Sequence, residues 1–180
     1  MGEGPERSAP RIYVADLAAY NAGTLHGEWL DLGVETTVDE VTASIHAMLQ
    51  RGPLGRTAEE YAIHDHEGFH GYEVHEYESL ETVVKVAAFV AEHGELGAKL
   101  VNHSYDIDEA TGVLENQHAG AAESLADWVF EHVKDTGELD QIPERWHSYI
   151  DFDGYARDLE LGGDIFTIEA EGEVHVFWTR

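Results

Sequence analysis

Four histidines within twelve residues are the side chains of this sequence that could most readily hold a metal ion. They stand among carboxylates and are His64, His66, His70 and His75, with Asp65, Glu67, Glu73 and Glu76 beside them. Imidazole and carboxylate groups both bind zinc and other transition metals. A helical pair of histidine ligands with a glutamate base needs an unbroken helix, whereas Gly68 and Gly71 interrupt this segment. The pattern favours ordinary strand and loop histidines, and a metal-binding protein or metal-dependent enzyme is the alternative.

Pairs of carboxylates are a second possible source of chemistry, because two acids held together can share acid–base work. Glu109 with Glu115 and Asp158 with Glu160 are such pairs. The chain contains 37 Asp and Glu residues, so close pairs arise by chance and identify no site. The sequence also lacks Gly-x-Ser-x-Gly, a P-loop and Gly-x-Gly-x-x-Gly. We therefore predict that the protein is not an enzyme and has no catalytic residue, metal or cofactor.

The excess of acids is the most unusual property of the composition. Against 37 acids there are 10 Lys and Arg residues, which gives a formal net charge of −27. Residues 1–78 and 117–180 each carry 15 acids and four bases, and residues 79–116 carry seven acids and two bases. This balance argues against direct binding to nucleic acid or an anionic membrane, both of which need a basic surface. It favours a basic partner, a metal or a high-salt environment.

Segments that would direct the chain out of the cytoplasm are not evident. There is no cysteine, and no apolar run approaches the length of a membrane span. Residues 1–10 are polar, rich in Gly and Pro, and unlike a signal peptide, so we expect a disordered lead-in and a cytoplasmic protein.

Carboxylates spread along folded elements could present the charge pattern of DNA. A duplex carries one negative charge per about 1.7 Å of axis, so a dimer with twice the charge of −27 would match roughly 27 base pairs, or about 90 Å. A compact globule of 180 residues is only about 40 Å across, so this mimicry requires an elongated, dimeric arrangement. A halophilic acidic structural protein is the alternative, because the chain has only three lysines.

Hydrophobic periodicity and turn residues predict an α+β fold in three small parts. The first, residues 11–78, has strands at 11–16, 25–31 and 60–65 and a helix that starts at a Thr37–Glu40 capping box and ends near Gln50. The second, residues 79–116, is helical, with segments at 80–93, 95–101 and 107–116. The third, residues 117–180, has a helix at 124–133 and a hairpin of strands 164–170 and 173–179.

Residues 139–161 alternate carboxylates with large aromatic side chains. The aromatic residues are Trp146, Tyr149, Phe152 and Tyr155. Each apolar side chain has an acid beside it, so folding this segment must turn the acids outward at close spacing. A helix-loop-helix with a solvated acidic face is the simplest structure that fits the pattern.

Several blocks of the sequence resemble the ArdA family of antirestriction proteins. Residues 12–31 resemble the opening of that family, and residues 61–69 with 76–79 resemble its next block. The C-terminal block is similar at 142–143, 149–152, 156–159 and 174–178. Residues 139–153 are similar to the segment known as the antirestriction motif. The histidine segment departs from the family pattern.

The resemblance implies an elongated, three-domain DNA mimic without catalytic residues, which dimerises through its C-terminal domain. Such proteins occupy the DNA-binding groove of Type I restriction–modification enzymes and protect incoming mobile DNA. The acids expected to act collectively are Glu109, Glu115, Glu123, Asp127, Glu131, Asp135, Glu138, Asp140, Glu144, Asp151, Asp153, Asp158 and Glu160. The antirestriction motif corresponds to Leu139, Asp140, Ile142, Pro143, Tyr149, Ile150, Asp151 and Phe152.

Within residues 139–161 the resemblance implies a division of roles. The apolar residues Ile142, Tyr149, Ile150, Phe152 and Leu159 are expected in the C-terminal core or at a dimer contact. The acids are expected to include exposed substitutes for phosphates as well as structural partners of Arg145 or Arg157. The sequence does not separate these two groups of acids.

Overall fold

Two three-stranded antiparallel sheets organise the part of the chain that the structure describes. The structure is a computed structural model, and it describes residues 9–53, 55 and 59–179. The backbone divides into two compact units, one ending at Ile107 and the other beginning at Asp108, and each contains one sheet. The predicted mixture of helices and antiparallel strands is confirmed.

The sheet of the first unit is built around its first strand. Its strands, in the spatial order β2-β1-β3, are β1 (Arg11–Asp16), β2 (Gly27–Asp31) and β3 (Tyr61–Glu67). Ile12 and Val14 alternate along β1 and are fully buried, as expected for a central strand with one face on a core. All three predicted strands are confirmed, the second starting two residues later and the third ending two residues later.

A short helix that the sequence does not predict, α1 (Leu17–Asn21), follows β1 directly. Asp16 begins it, because Oδ1 of this carboxylate accepts a hydrogen bond from the Ala19 backbone N–H at 3.0 Å. Asp16 is completely buried, and its Oδ2 has no hydrogen-bond partner among the described residues. Five residues are too few to give a helical hydrophobic pattern, so periodicity does not reveal this helix.

The helix α2 (Val38–Arg51) starts at the predicted capping box. Thr37 Oγ1 accepts from the Glu40 backbone N–H at 3.3 Å, and Glu40 Oε2 accepts from the Thr37 backbone N–H at 2.8 Å. These two bonds satisfy donors that a helix start otherwise leaves open. The apolar face predicted from the spacing is buried, and it consists of Val41, Ile45, Met48 and Leu49.

The longest helix, α3 (Leu80–Ser104), is kinked at Gly94. Gly94 has φ 58° and ψ −136°, angles that glycine adopts more easily than any other residue. Ser79 caps the start of the helix, with its Oγ accepting from the Thr82 backbone N–H at 3.1 Å. The predicted interruption at Gly94 is confirmed, although the two predicted pieces form the halves of one longer, kinked element.

The second unit combines helices with the other sheet, whose spatial order is β4-β6-β5. Its helices and strands are α4 (Ile107–Gln117), β4 (His118–Ala122), α5 (Leu125–Asp135), α6 (Phe152–Leu161), β5 (Ile165–Ala170) and β6 (Glu173–Trp178). Two short 3-10 helices, Leu139–Gln141 and Glu144–Tyr149, connect α5 to α6. The predicted helices at 107–116 and 124–133 and the C-terminal hairpin are confirmed. The helix-loop-helix expected over residues 139–161 is instead two 3-10 helices followed by α6. The strand β4 is a feature that the sequence does not predict.

The core of this unit lies between α5, α6 and one face of the sheet. Val129 and Val176 are fully buried there, with Trp128, Ala156 and Ile165 around them. Burying a valine side chain completely contributes about 1.5–3 kcal/mol. The core therefore fixes α5 and α6, which carry six of the thirteen predicted acidic residues, against a sheet held by backbone hydrogen bonds.

Two predictions about the organisation of the chain are not tested by this structure. The division into three domains at 11–78, 79–116 and 117–180 remains a prediction, as does dimerisation through the last of them. The disordered lead-in was expected over residues 1–10, of which residues 1–8 lie outside the described part. Pro10 is buried, and its carbonyl oxygen accepts from the Leu32 backbone N–H at 2.7 Å.

None of the helices within the described residues combines the length and the apolar composition needed to cross a bilayer.

Candidate functional site

The thirteen carboxylates predicted to act together, from Glu109 to Glu160, are all exposed to solvent. We call them the acidic surface. They lie on α4, α5 and α6, in the 3-10 helices and in the connecting turns, all within the second unit. Packing turns the apolar residues of these elements inward, so the acids between them must point outward. The expectation of a solvated acidic face over residues 139–161 therefore agrees with their exposure.

Five acids of the acidic surface have identifiable structural partners. They are Asp127, Glu131, Glu138, Asp151 and Glu160, and we call them the partnered acids. Asp151 caps α6 by accepting from the Gly154 backbone N–H at 2.8 Å. Glu160 accepts from the Thr167 hydroxyl at 2.7 Å and so links α6 to β5. The partnered acids therefore stabilise the fold through these contacts, and they also carry negative charge.

A cation partner is present for one of these acids. Lys134 Nζ lies 3.0 Å from Glu131 Oε2, and this hydrogen bond together with the charge of Glu131 raises the pKa of Lys134. Both side chains are more than half exposed, so the ion pair contributes little to stability. Its main consequence is that Glu131 presents less net negative charge to a partner than an isolated carboxylate would.

Six other acids have side chains that make no hydrogen bond or ion pair to any residue in the described part of the chain. We call them the partner-free acids, and they are Glu115, Glu123, Asp140, Glu144, Asp153 and Asp158. The pairing expected with Arg145 or Arg157 is not found, since neither arginine has a carboxylate within 4.0 Å among the described residues. Arg145 instead lies over the Trp146 ring, with 5.8 Å between its guanidinium carbon and the ring centroid.

The antirestriction motif combines buried and exposed side chains. Leu139 is buried in the core of the second unit, and Ile150 and Phe152 pack against that core. Ile142 is 38% exposed and Tyr149 is 78% exposed. The expectation of core positions therefore holds for Ile150, Phe152 and Leu159, while Ile142 and Tyr149 point outward.

His147 holds the motif in shape, a role that residue spacing did not reveal. Its Nε2 lies 3.1 Å from the Leu139 carbonyl oxygen and 2.8 Å from the Ile142 carbonyl oxygen. A single Nε2–H thus serves two acceptors at the end of the first 3-10 helix. These two contacts fix the backbone of the segment that carries Asp140 and Glu144.

The histidine segment of the first unit is arranged differently from a metal site. His66 and His70 have the His-Glu-x-x-His order of a helical ligand pair. That order needs a helix to place both rings on one face, but His66 lies in β3 and His70 in a turn with φ 49°. The two histidines therefore do not share a helical face.

The other contacts of these histidines are with single carboxylates and aromatic rings. His64 Nε2 lies 3.8 Å from Glu76, and His66 Nε2 lies 3.6 Å from Glu73. The His64 ring meets Tyr20 edge to face, with ring centroids 4.9 Å apart. Across the described residues, no three or more His, Cys, Asp or Glu side chains are grouped so that they could hold a metal ion.

Comparison with protein families identifies the family of the chain that carries the acidic surface. The family model of ArdA, described as antirestriction protein, matches residues 12–173 of the 180-residue chain. The chain belongs to the ArdA antirestriction family. The match runs from β1 through β5 and ends at Glu173, the first residue of β6, so ArdA membership applies to both compact units. A comparison with individual curated proteins finds no significant match.

Membership of the ArdA family supports an antirestriction function and an interaction with restriction systems. The family is described as antirestriction protein, and this description names no catalytic activity. An interaction with a restriction system makes the acidic surface a candidate for binding another protein.

Proposed function

We propose that this ArdA chain inhibits restriction by occupying the DNA-binding groove of a Type I restriction–modification enzyme. In this proposal the acidic surface takes the place of DNA phosphates. The observation that supports it most directly is that all thirteen predicted acids are exposed, while the chain as a whole has a formal charge of −27. A protein groove that binds DNA carries Lys and Arg side chains, which are attracted to such a surface.

The partner-free acids are the strongest candidates for phosphate substitutes. No cation of the described chain neutralises them, so their charge is available to the lysines and arginines of a target. Each exposed charge interaction contributes only about 0.2–1 kcal/mol. Binding by this surface is therefore collective, and loss of one acid changes the affinity by no more than several-fold.

Dimerisation through the C-terminal region forms part of the proposal. The charge of one chain matches only half the length of duplex that a dimer would match, which is roughly 90 Å. The exposed motif residues Ile142 and Tyr149 are candidates for such a contact, because apolar side chains that are left in water gain by association. Sedimentation equilibrium of the purified protein would measure the oligomeric state.

Competition with DNA tests the mechanism. The methyltransferase core of a Type I enzyme is bound to a labelled duplex containing its recognition site, and the ArdA chain is added at low ionic strength. We expect the duplex to be displaced, with an effect that weakens steeply as salt is added, because attraction between exposed charges is screened. Failure to displace the duplex at low salt would rule out the DNA-mimic mechanism while leaving the family assignment intact.

Restriction and modification can be inhibited to different extents, so both activities should be followed. An in vitro assay with a complete Type I enzyme would record cleavage and methylation of the same plasmid as the ArdA concentration rises. Occupation of the shared DNA-binding groove predicts inhibition of both reactions. Inhibition of cleavage alone, with methylation unaffected at saturation, would place the binding site outside the methyltransferase groove.

A further inference from the structure

Two histidines outside the acidic surface face each other across neighbouring strands of the second sheet. Nε2 of His118 in β4 lies 3.2 Å from Nδ1 of His175 in β6. Their ring centroids are 5.3 Å apart with an interplanar angle of 29°. Both residues lie far from the histidine segment in the sequence. The pair forms only when β4 and β6 associate.

Strand pairing holds both rings on one face of the sheet. His118 is directly opposite Phe177, and His175 lies two residues before Phe177 on β6, so both imidazoles project on the side of that phenyl ring. The His118 and Phe177 ring centroids are 4.9 Å apart, and Phe177 is fully buried. A fixed aromatic neighbour and a central strand therefore restrict where the imidazoles can move.

We propose that His118 and His175 form a binding site for one first-row divalent transition-metal ion, such as Ni²⁺, Cu²⁺ or Zn²⁺. Imidazole nitrogens bind these ions at about 2.0–2.1 Å, so two nitrogens sharing one ion stand about 2.9–3.4 Å apart in tetrahedral or octahedral geometry. The observed separation of 3.2 Å falls within that range without movement of the backbone.

The site is accessible to a metal ion. His118 is exposed and His175 is half-buried, so an ion and its water ligands can reach both nitrogens from solvent.

The site supplies two protein ligands, and water completes the coordination. In the described residues no third His, Cys, Asp or Glu joins this pair in a ligand group. Binding is therefore weaker and more exchangeable than at a four-ligand structural zinc site. Its structural effect is to join β4 to β6 by a second link besides backbone hydrogen bonds. We expect bound metal to raise the melting temperature, because a ligand that binds only the folded state stabilises it.

Calorimetric titration tests the site in the full, untagged chain. Ni²⁺ is titrated into the wild-type protein and into the variants His118→Gln and His175→Gln, with His66→Gln as a matched control from a strand of the other sheet. We expect one ion per wild-type chain at this site. Each variant of the pair should bind roughly tenfold more weakly or worse, since even loss of an outer-shell partner costs 10–100-fold, while His66→Gln should bind as wild type does.

A second measurement keeps the test independent of whether the variants fold. Cu²⁺ is added to ¹⁵N-labelled wild-type protein at a substoichiometric level, and paramagnetic broadening of amide signals is mapped. Broadening centred on β4 and β6 supports the proposal. Broadening centred elsewhere, an absence of stoichiometric Ni²⁺ binding, or equal affinity in wild type and both variants of the pair would overturn it and would show that the two rings share only a hydrogen bond.

Discussion

Removing two matched sets of four acids should separate the charge of the acidic surface from its structural contacts. The first variant replaces partner-free acids by alanine, at Asp140, Glu144, Asp153 and Asp158. The second replaces partnered acids, at Asp127, Glu131, Asp151 and Glu160. Both variants lose four negative charges from the same region, so any difference between them must come from the contacts that each set makes.

The stability of the two variants should differ by an amount that the contacts allow us to estimate. Loss of the Asp151 cap costs about 1 kcal/mol, and the hydrogen bonds of Asp127 and Glu160 contribute about 0.5–1.5 kcal/mol each. The second variant should therefore lose roughly 2–4 kcal/mol. For a chain of 180 residues this lowers the melting temperature by about 4–16 °C. The first variant should melt within a few degrees of wild type, because the acids that it replaces make no hydrogen bond or ion pair to any described residue.

The affinity for the target should fall in the first variant despite its unchanged stability. Four exposed charge interactions of about 0.2–1 kcal/mol each amount to roughly 1–4 kcal/mol. At 1.4 kcal/mol per tenfold change, this weakens binding by about fivefold to several hundredfold at low salt. The salt dependence should become shallower as well, because fewer screened charges contribute.

Circular-dichroism melts and competition against a labelled duplex on a Type I methyltransferase core are the two assays. Equal losses of melting temperature in both variants would refute the division into partnered and partner-free acids. Full competition by the first variant at low salt would refute the role of its acids as phosphate substitutes, even if the protein remained folded and active.

Three further tests address the first unit and the alternative explanation of the composition. Thr37→Ala should reduce the stability by about 1 kcal/mol in denaturant melts, because it removes the side-chain acceptor at the start of α2; a change near zero would show that the box is not formed in solution. The hydrogen bond from the Thr37 backbone lowers the pKa of Glu40. The stability that the ionised Glu40 adds to the fold is therefore complete above the ordinary pKa of a glutamate and is lost as the pH falls through the pKa of the folded state. Glu40→Gln should reduce this loss of stability in acid, measured by melts at a series of pH values. A cooperative melt of wild type at low salt is expected, and a requirement for molar salt to fold would support halophilic adaptation instead.

Close packing around one glycine gives a further expected outcome. A Cβ atom at Gly52 would stand 2.8 Å from His26 Cδ2 and 2.9 Å from Asp16 Oδ2. Gly52→Ala should cost about 1–3 kcal/mol through overpacking, measured by urea denaturation. Gly23→Ala is the comparison at a site where nothing lies within 4 Å, and there only its positive φ of 81° opposes the substitution. A larger cost at Gly23 would contradict the overpacking argument.

Local signals in the sequence were sufficient for most elements of the fold. The Thr37–Glu40 capping box placed the start of α2, and the predicted break between 93 and 95 coincides with the kink at Gly94 in α3. The C-terminal hairpin followed from its turn, in which Glu171 and Gly172 both have positive φ. These features depend on neighbours in the chain, and therefore a single sequence contains the information needed to find them.

Other features depend on contacts that no local sequence pattern indicates. The strand β4 has the sequence His-Ala-Gly-Ala-Ala, which has little intrinsic preference for a strand, and β6 provides its hydrogen-bonding partner. The helix α1 depends on the buried carboxylate of Asp16 and is too short to show periodicity. His147 gained its role because two carbonyl oxygens lie together in the folded motif.

The same distinction applies to the histidines and the acids. Composition established the large negative charge, and the blocks of family resemblance led to the antirestriction family that the family comparison confirmed. Composition is a property of the chain alone, so the formal net charge is the same whatever fold the chain adopts. Which acids have partners, and which histidines meet, depends on distances of about 3 Å that are set only once the chain has folded. The packing of α6 against β5 brings Glu160 to Thr167, and the pairing of β4 with β6 brings His118 to His175.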